Sequence, residues 1–322
     1  GVDGSGNPVD ALTVETFNSA ELAGNVTLVL GSADQSITTG SGDDSVTFAT
    51  NTLNEGSGDS IDLGDGEDSV FATINTSLAV TDGAGTGVLD LANVETLDLT
   101  LGDDNAIDFA SVSGLNTLIL EDSTPDQHTQ TLTSFDLDTN IVLENGAKVV
   151  LTAANASGDA DQLNVSTKKD GADTYVLEET ADAIEKLNIT VNDTGDTSDI
   201  HTFDLSSFAA EEITFSAGTT GPSGDVTEVT TGSNINVAAT TVDATALNGA
   251  FTSDLSSSTS DITFKLDGKG VQTVDGGSGD DTFTVNSSSV AHDIDAGAGD
   301  DSVDLKGFLG TTQIVVDGEA GT

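Results

Sequence analysis

One short phrase occurs twice near the end of the sequence, and it constrains the fold more than any other feature. Val274–Val285 reads VDGGSGDDTFTV and Ile294–Leu305 reads IDAGAGDDSVDL, an offset of twenty residues at every position. Glycines permit the positive backbone angles of tight turns, and the Asp-Asp pair presents oxygen atoms to a hard cation. The residues that follow alternate polar and apolar, the period of a half-buried strand. Each copy therefore predicts a glycine turn that leads into a β-strand.

Related phrases form a second cluster nearer the start of the chain. Leu30–Thr38 (LGSADQSIT) is followed directly by Thr39–Thr47 (TGSGDDSVT), a shift of nine residues, and Leu63–Phe71 reads LGDGEDSVF. The phrase at Gly56–Asp62 (GSGDSID) is one residue short of the same register. Four of these phrases, Thr39–Thr47, Leu63–Phe71 and the two near the end of the sequence, keep both the register and the second acidic position. They indicate a repeat architecture, in which each unit buries its apolar face against its neighbours.

These phrases resemble the RTX nonapeptide G-G-x-G-x-D-x-U-x, where U is a large apolar residue and the repeats build a calcium-binding parallel β-helix. Gly276–Thr284 matches every defined position, and Ala296–Asp304 departs only by an alanine at the first glycine. Gln35 stands at the aspartate position of the first N-terminal copy and Asp44 at that of the second. The second copy is therefore the better predicted site.

The resemblance implies a set of calcium ligands, because calcium prefers carboxylate and backbone carbonyl oxygens. We expect direct ligation by Asp44, Asp68, Asp281 and Asp301, and place Asp43, Asp280, Asp300 and Asp59 second. The turns themselves are expected to contribute carbonyls at Gly40, Gly42, Gly64, Gly66, Gly277, Gly279, Gly297 and Gly299. An ordinary acidic turn without a cation is the alternative for any single copy. Asp275, Asp295 and Asp317 form a further equivalent column, which we expect to face solvent.

Strand-like phrases continue where the glycine turns fade. Val94–Leu101 (VETLDLTL) alternates strictly, and Ile184–Val191 (IEKLNITV) repeats the phrase. We predict an all-β fold, a right-handed parallel β-helix or β-roll solenoid with RTX calcium turns and a period of about 18 to 24 residues. β-Sandwich-like insertions, or a sandwich array, are the alternative. Asn145-Gly146 predicts a tight turn, and Ala181–Leu187 and Ser206–Glu212 are candidate short helices.

The expected organisation is a leading segment over 1–25, RTX-containing rungs over 26–80, degenerate solenoid or sandwich-like rungs over 81–270, and RTX rungs over 271–322. The sequence starts at Gly1 without an initiator methionine, and a third copy of the phrase begins at Val316, six residues before the last residue. We therefore expect an excised or processed piece of a longer protein.

Composition excludes several classes of protein. The formal charge is −49, from 56 acidic residues against seven basic ones. A nucleic-acid binder needs a cationic face, so that class is excluded. No apolar run approaches the length that spans a bilayer, and no membrane insertion is expected. A disordered acidic chain is the alternative, but 35% of the residues are hydrophobic and fall in short β-branched runs. With no cysteine, stability must come from stacking and metal.

Signatures of enzymes are missing, and we expect no catalytic activity. The three histidines are isolated, without a zinc-protease motif, and are expected at the surface or at rung edges. Tyr175, the single tyrosine, has no evident partner in the sequence. A β-helical carbohydrate-active enzyme or accessory module remains an alternative, because 56 acids supply many carboxylate pairs by chance.

RTX turns interspersed with phrases such as VETLDLT, with almost no basic residues and no cysteine, resemble bacterial S-layer proteins of the RTX type. The resemblance implies type I secretion, folding on extracellular calcium and self-assembly into a two-dimensional lattice at the cell surface. Attachment to cell-surface polysaccharide is expected through a region outside this sequence. A segment of a calcium-stabilised RTX adhesin or secreted stalk is the alternative function.

Overall fold

A computed structural model describes most of the chain, and the structural statements below concern the described residues alone. These are residues 15–31, 34–48, 59–74, 90–122, 128–154, 156, 160–168, 173–180, 184–193, 200–220, 228–232, 235–236, 238–247, 249–267, 270–286, 291–306 and 314–318. The chain divides into two compact units, Gly1–Asn155 and Ala156–Thr322.

Unit 1 contains three sheets of parallel strands, which we call 1A, 1B and 1C. Sheet 1A is β2 (Thr27–Leu30), β4 (Ser45–Phe48), β6 (Ser69–Ile74), β8 (Thr96–Leu101), β10 (Thr117–Asp122) and β12 (Asn140–Glu144). Sheet 1B is β1 (Thr16–Asn18), β3 (Ser36–Thr38), β5 (Ser60–Asp62) and β7 (Asp90–Ala92). Sheet 1C is β9 (Asn105–Asp108), β11 (Thr129–Phe135) and β13 (Lys148–Ala153).

Unit 2 contains two sheets of parallel strands, 2A and 2B. Sheet 2A is β14 (Gln162–Thr167), β16 (Lys186–Asp193), β18 (Glu212–Thr220), β20 (Thr241–Ala246), β22 (Thr263–Asp267), β24 (Thr282–Asn286) and β26 (Ser302–Lys306). Sheet 2B is β15 (Thr174–Glu179), β17 (Ile200–Ser207), β19 (Glu228–Gly232), β21 (Phe251–Asp254), β23 (Gln272–Gly277), β25 (His292–Gly297) and β27 (Ile314–Gly318).

Each unit is a parallel β-solenoid, as the repeats predict. In unit 2 successive strands alternate between sheets 2A and 2B; in unit 1 the strands of sheet 1A alternate with those of sheet 1B up to β7 and with those of sheet 1C from β9. Neighbouring strands of a sheet are parallel and lie two strands apart along the chain. One coil therefore consists of two strands and two turns. Val70 and Ala72 of β6 lie in register with Leu97 and Leu99 of β8, and all four side chains are buried. The alternating sequence thus places one face of every strand in the core, where neighbouring coils cover it.

The register of the sheets reproduces the offsets read from the sequence. Val274 pairs with Ile294 in sheet 2B and Phe283 with Val303 in sheet 2A, both twenty residues apart. The nine-residue shift between the two N-terminal phrases is half a coil, because β3 and β4 belong to opposite sheets. Coil lengths run from 18 residues (Val26 to Asp44) to 30 (Ser60 to Asp90), a wider range than predicted. The variation lies in the turns, so the strand register is kept.

Several local predictions are corrected. Neither candidate helix forms in the described residues, because Lys186–Leu187 begins β16 and Ser206–Ser207 ends β17; residues 181–183 lie outside them. All strand pairings described are parallel, which gives no support to a sandwich insertion in this part of the chain. Asn145 and Gly146 form the predicted tight turn with φ of 59° and 76°. The turn joins β12 to β13 in different sheets and does not make a hairpin.

The expectation of peripheral histidines is wrong for two of the three. His201 and His292 are buried, with 0% and 2% of their surface exposed, at inward positions of sheet 2B. His128 is half-buried, with its Nδ1 3.1 Å from Asp122 Oδ1. Tyr175 is also a core residue, and its ring stacks on Phe203 in the next coil with centroids 5.3 Å apart. These polar rings are accepted inside because the strand alternation, not polarity, decides which side chains point inward.

Candidate metal centre

The predicted glycine turns stack directly on one another. Gly64 (φ 88°) follows β5, and Gly297 (φ 79°) ends β25, both in the left-handed region that favours glycine. A Cβ on Gly64 would meet the carbonyl oxygen of Gly40, and one on Gly297 would meet the carbonyl oxygen of Gly277. The equivalent glycine of the preceding coil therefore presents its carbonyl to this position. The coils can approach so closely because glycine has no side chain at these positions.

The four aspartates predicted as direct ligands occupy one structural position, immediately before a strand of sheet 1A or 2A. Asp44 Oδ1 accepts a hydrogen bond from the Val26 backbone N–H at 2.6 Å, and Asp68 Oδ1 accepts one from Asp44 N–H at 2.6 Å. In unit 2, Asp281 Oδ1 accepts from Ile262 N–H at 2.7 Å, and Asp301 Oδ1 accepts from Asp281 N–H at 2.8 Å. Each carboxylate thus holds the backbone of the preceding coil. We call these residues the inner aspartates.

Only one oxygen of each buried inner aspartate is satisfied. Asp44, Asp68 and Asp281 are 2%, 0% and 1% exposed. Their Oδ2 atoms are buried and accept no hydrogen bond. A buried carboxylate oxygen without a donor is costly, and a charged one is more so. A proton, a bound water molecule or a cation would satisfy each of these three atoms.

Two of these aspartates, Asp68 and Asp281, also have raised pKa values. Burial raises the pKa of Asp68 to about 6, against a hydrogen bond from Asp44 N–H that lowers it and neighbouring carboxylates that raise it further. Burial likewise raises the pKa of Asp281 to about 6, with a lowering hydrogen bond from Ile262 and a raising effect of Asp301. The charged forms are thus disfavoured in the absence of a positive partner.

The second-choice aspartates differ in position and bonding. Asp43, Asp280 and Asp300 are exposed, one residue before the inner aspartates. Asp280 Oδ1 accepts a hydrogen bond from Asp300 N–H at 2.8 Å, and Asp43 Oδ1 accepts one from Glu67 N–H at 3.3 Å. The side chains of Asp43 and Asp280 therefore hold the following coil, whereas the inner aspartates hold the preceding one. The pairs Asp43-Asp44 and Asp280-Asp281 thus tie their coils in both directions.

Asp59, whose register was uncertain in the sequence, occupies the corresponding position on the opposite side of unit 1. It stands immediately before β5 of sheet 1B, is 6% exposed, and its Oδ1 accepts a hydrogen bond from Gln35 N–H at 2.9 Å. Burial raises its pKa to about 6, with the bond from Gln35 lowering it and the charge of Asp34 raising it. The turn that precedes Asp59 lies outside the described residues.

Two glutamates that the sequence reasoning missed continue the carboxylate series. Glu95 Oε2 accepts a hydrogen bond from Asp68 N–H at 2.8 Å, and Glu185 Oε2 accepts one from Asp161 N–H at 2.8 Å. Both stand immediately before a strand, as the inner aspartates do. The signal was present in the phrases VETLDL and IEKLNI, where an acid follows a buried Val or Ile and precedes an alternating strand.

The predicted aspartate column of unit 2 forms and is longer than expected. Asp254, Asp275, Asp295 and Asp317 lie in register on four neighbouring strands of sheet 2B. Burial raises the pKa of Asp275, and the charges of Asp254, Asp295 and Asp293 raise it further. Asp275 and Asp295 border a cavity of about 310 Å³ together with the glycine turns. Asp295 and Asp317 are exposed and Asp275 is half-buried, so the expectation of solvent-facing side chains is met only in part.

The donor set fits a calcium ion in kind, since calcium prefers carboxylate and carbonyl oxygens. The position that a Cβ of Gly276 would take is bordered by Asp281 Oδ2 and, at 2.6 Å, by the carbonyl oxygen of Ala296. An unsatisfied carboxylate oxygen and a carbonyl of the next coil therefore converge beside this glycine. Within the described residues, no group of three or more His, Cys, Asp or Glu side chains is placed to hold a metal. Any site there would depend on backbone carbonyls for most of its ligands.

The chain matches no protein-family profile, no curated protein and no solved structure. Among the described residues there is no helix of the length and apolar character needed to cross a membrane. The class of protein defined so far is a parallel β-solenoid with stacked glycine turns and buried, half-satisfied aspartates. Any function must be argued from that geometry.

Proposed function

We propose that this chain is a calcium-stabilised structural protein of the RTX type, secreted to the cell surface and assembled there into an S-layer lattice. The observation that carries the proposal is the buried, unsatisfied Oδ2 of Asp44, Asp68 and Asp281 at glycine turns. A divalent cation bound there would compensate the buried charge and take its remaining ligands from the turn carbonyls.

The glycines would serve the same chemistry. Gly40, Gly42, Gly277 and Gly279 direct carbonyl oxygens towards the glycines of the following coil, where the absence of side chains leaves room. The inner aspartates would supply the carboxylates and fix the spacing of the coils. A calcium ion supplies positive charge and flexible coordination. No other chemistry is required of it in a structural role.

Calcium would then control where the protein folds. With dissociation constants of about 10⁻⁴ to 10⁻³ M, typical of extracellular sites, the turns would stay empty in a cytoplasm and fill outside the cell. A ligand that binds the folded form stabilises it by mass action. With a formal charge of −49, the ion-free chain also repels itself. Both effects oppose folding before export and favour it afterwards.

Lattice assembly needs acidic surfaces to approach one another. The in-register column of Asp254, Asp275, Asp295 and Asp317 concentrates like charge on one face of sheet 2B. Such columns repel unless cations lie near them. Extracellular calcium would reduce this repulsion between subunits as well as within them. A non-enzymatic role accords with this picture, in which the acids act on cations and not on a substrate.

A calcium titration with three readouts tests the proposal. The chain would be titrated from chelator to about 10 mM calcium, a range that brackets extracellular-type sites. Circular dichroism and light scattering would be followed on one sample, and electron microscopy would then be applied. We expect β structure to appear together with sheet-like assemblies.

The other outcomes discriminate between the alternatives. β structure without assembly would favour an RTX adhesin or secreted stalk over an S-layer protein. An unchanged spectrum between chelator and calcium would contradict the calcium role itself. Magnesium at the same concentrations is the matched control, because its octahedral geometry and slow dehydration suit carbonyl-rich sites poorly.

A further inference from the structure

The coils fall into two kinds, distinguished by the partner of one backbone N–H. The relevant residue is the one immediately before each strand of sheets 1A and 2A. In the glycine-turn coils its N–H donates forward, to a carboxylate of the following coil. The four cases are Val26 to Asp44, Asp44 to Asp68, Ile262 to Asp281 and Asp281 to Asp301, at 2.6 to 2.8 Å. Each of these bonds has a carboxylate as its acceptor, which is buried in Asp44, Asp68 and Asp281 and half-buried in Asp301.

In five of the other coils the same N–H donates backward, to a backbone carbonyl of the preceding coil, whereas Thr139 N–H, before β12, donates to Asp136 O of its own turn at 3.1 Å. In unit 1, Glu95 N–H donates to Asp68 O at 3.2 Å and Asn116 N–H donates to Glu95 O at 2.9 Å. In unit 2, the pairs are Glu185 to Asp161 at 3.1 Å, Glu211 to Glu185 at 2.9 Å and Thr240 to Glu211 at 2.9 Å. These bonds join two neutral groups, so no charge has to be compensated.

Glu95 stands where the pattern changes in unit 1. Glu95 Oε2 accepts the forward bond from Asp68 N–H, while the N–H of Glu95 itself already donates backward. Glu185 makes the same pair of bonds with Asp161 in unit 2, away from the glycine-turn coils. Both glutamates are half-buried, whereas Asp68 is fully buried with an unsatisfied oxygen. The extra methylene lets the carboxylate reach the backbone from a partly hydrated position.

We propose that Glu95 is a cation-independent closure of the carboxylate series of unit 1, and that calcium orders only the glycine-turn coils of each unit. In unit 1 these are the coils of β2 to β6, and the coils of β8 to β12 keep their order without the ion. In unit 2 the coils of β14 to β20 are independent, and those of β22 to β26 depend on calcium. The inference rests on the proposed calcium role and assigns it to particular coils.

Hydrogen exchange measured by mass spectrometry on the full chain, in chelator and in calcium, tests this division. We expect peptides that contain β4, β6, β24 and β26 to lose protection in chelator by about tenfold or more, the scale of one charge-assisted hydrogen bond. Peptides that contain β10, β16 and β18 should exchange equally in both solutions.

Variants of Glu95 test the closure itself. Glu95→Ala should lower the protection of the Asp68 N–H and of β6 in calcium, without affecting β12. Glu95→Gln should restore it, because the amide oxygen still accepts from Asp68 N–H. Glu211→Ala is the matched control, because Glu211 is exposed and stands immediately before β18 as Glu95 stands before β8; it should leave the protection of Asp68 N–H and of β6 unchanged. Should the alanine variant not fold, the glutamine variant and the wild-type comparison still decide the question.

Two results would overturn the inference in different ways. Loss of protection in all coils together on chelation would show a single calcium-dependent unit, and would leave the proposed function standing. No difference between chelator and calcium in any coil would remove the proposed calcium role, and this inference with it.

Discussion

At the scale of single residues, Asp68 and Glu95 make the same kind of hydrogen bond with side chains that differ by one methylene group. The carboxylate of Asp68 accepts from the backbone N–H of Asp44, and that of Glu95 accepts from the backbone N–H of Asp68. Asp68 reaches its donor from a fully buried position and leaves Oδ2 unsatisfied, whereas Glu95 reaches its donor while half-buried. The shorter side chain therefore leaves a buried oxygen without a donor, whereas the longer one does not. In the proposed calcium role, dependence on the ion would follow from side-chain length as much as from charge.

Replacing one inner aspartate by its amide separates the two roles of the carboxylate. Asp281→Asn keeps an oxygen that accepts from Ile262 N–H and removes the buried charge. We expect greater stability in chelator and a calcium midpoint for folding that rises on the order of tenfold, the value of one charge-assisted interaction. The Asp281→Ala and Asp301→Ala pair should also raise the midpoint, but with lower stability in chelator.

The measurement is a calcium titration followed by circular dichroism, with chemical denaturation in chelator. Asp293→Asn is the matched control, because Asp293 is exposed on β25 and its replacement removes the same charge without touching a turn. An unchanged midpoint in Asp281→Asn would show that this residue does not bind the ion.

Stability in chelator should depend on pH in an unusual direction. The pKa values of Asp59, Asp68 and Asp281 are raised to about 6 in the fold, above the ordinary 3.8, so the folded state binds protons more tightly than the unfolded chain. The destabilisation from these charges is complete above pH 6 and is relieved as the pH falls towards 4. Thermal unfolding in chelator should therefore shift upwards over that interval.

With calcium present the trend should reverse, because protons compete with the ion for the same oxygens. The comparison of melting temperatures at pH 7 and pH 5, with and without calcium, checks both signs. A melting temperature in chelator that falls between pH 6 and pH 4 would argue against burial of these carboxylates.

At the scale of elements, the glycine turns set how closely two coils can stack. Gly64 and Gly297 adopt positive φ and lie against the carbonyl of the glycine one coil earlier. The Asn145-Gly146 turn uses the same backbone freedom to pass from one sheet to another. Its dipeptide predicts the tight turn but not the partner strands, because the local signal for a hairpin and for a solenoid corner is the same.

Gly297→Ala should destabilise the last glycine turn by about 1 to 3 kcal/mol, since alanine is strained at this φ and its Cβ meets a backbone carbonyl. Chemical denaturation in saturating calcium measures the loss. Gly24→Ala is the matched control, because a Cβ there meets nothing within 4 Å. Equal effects of the two substitutions would mean that turn stacking is not limited by the glycine.

At the scale of the whole molecule, repulsion between like charges adds to the conformational entropy that opposes folding. The formal charge is −49, and the charges that lie in register on neighbouring strands repel one another. Monovalent salt screens such repulsion, with a Debye length of about 8 Å at physiological ionic strength and about 3 Å at 1 M. The buried inner aspartates are screened far less. The screening of surface charges by salt can therefore be distinguished by experiment from the binding of a cation at the buried aspartates.

Sodium chloride at about 1 M in chelator should stabilise the chain partially, by reducing repulsion between surface charges. It should not replace calcium, because the unsatisfied Oδ2 atoms lie beyond the reach of a screening atmosphere. Denaturation curves in salt, with and without calcium, give the two contributions. If sodium chloride alone restored the full stability measured in calcium, calcium would act only as a general counterion.

The sequence by itself determined the periodic parts of this protein. Alternation of polar and apolar residues fixed the inward face of each strand, and the repeated glycine turns fixed the twenty-residue register of β23 to β26. The positions of the inner aspartates followed from the same repeat. All of these are local patterns repeated along the chain, and stacking of identical units carries them directly into three dimensions.

Only the tertiary structure decided which atoms are left without partners. Whether an N–H donates forward to a carboxylate or backward to a backbone carbonyl depends on contacts between residues 18 to 29 positions apart. The roles of Glu95 and Glu185, the burial of His201 and the unsatisfied oxygen of Asp281 all arise from such contacts. Coil length varies from turn to turn, so the residue that each side chain meets is set by stacking and not by the local pattern.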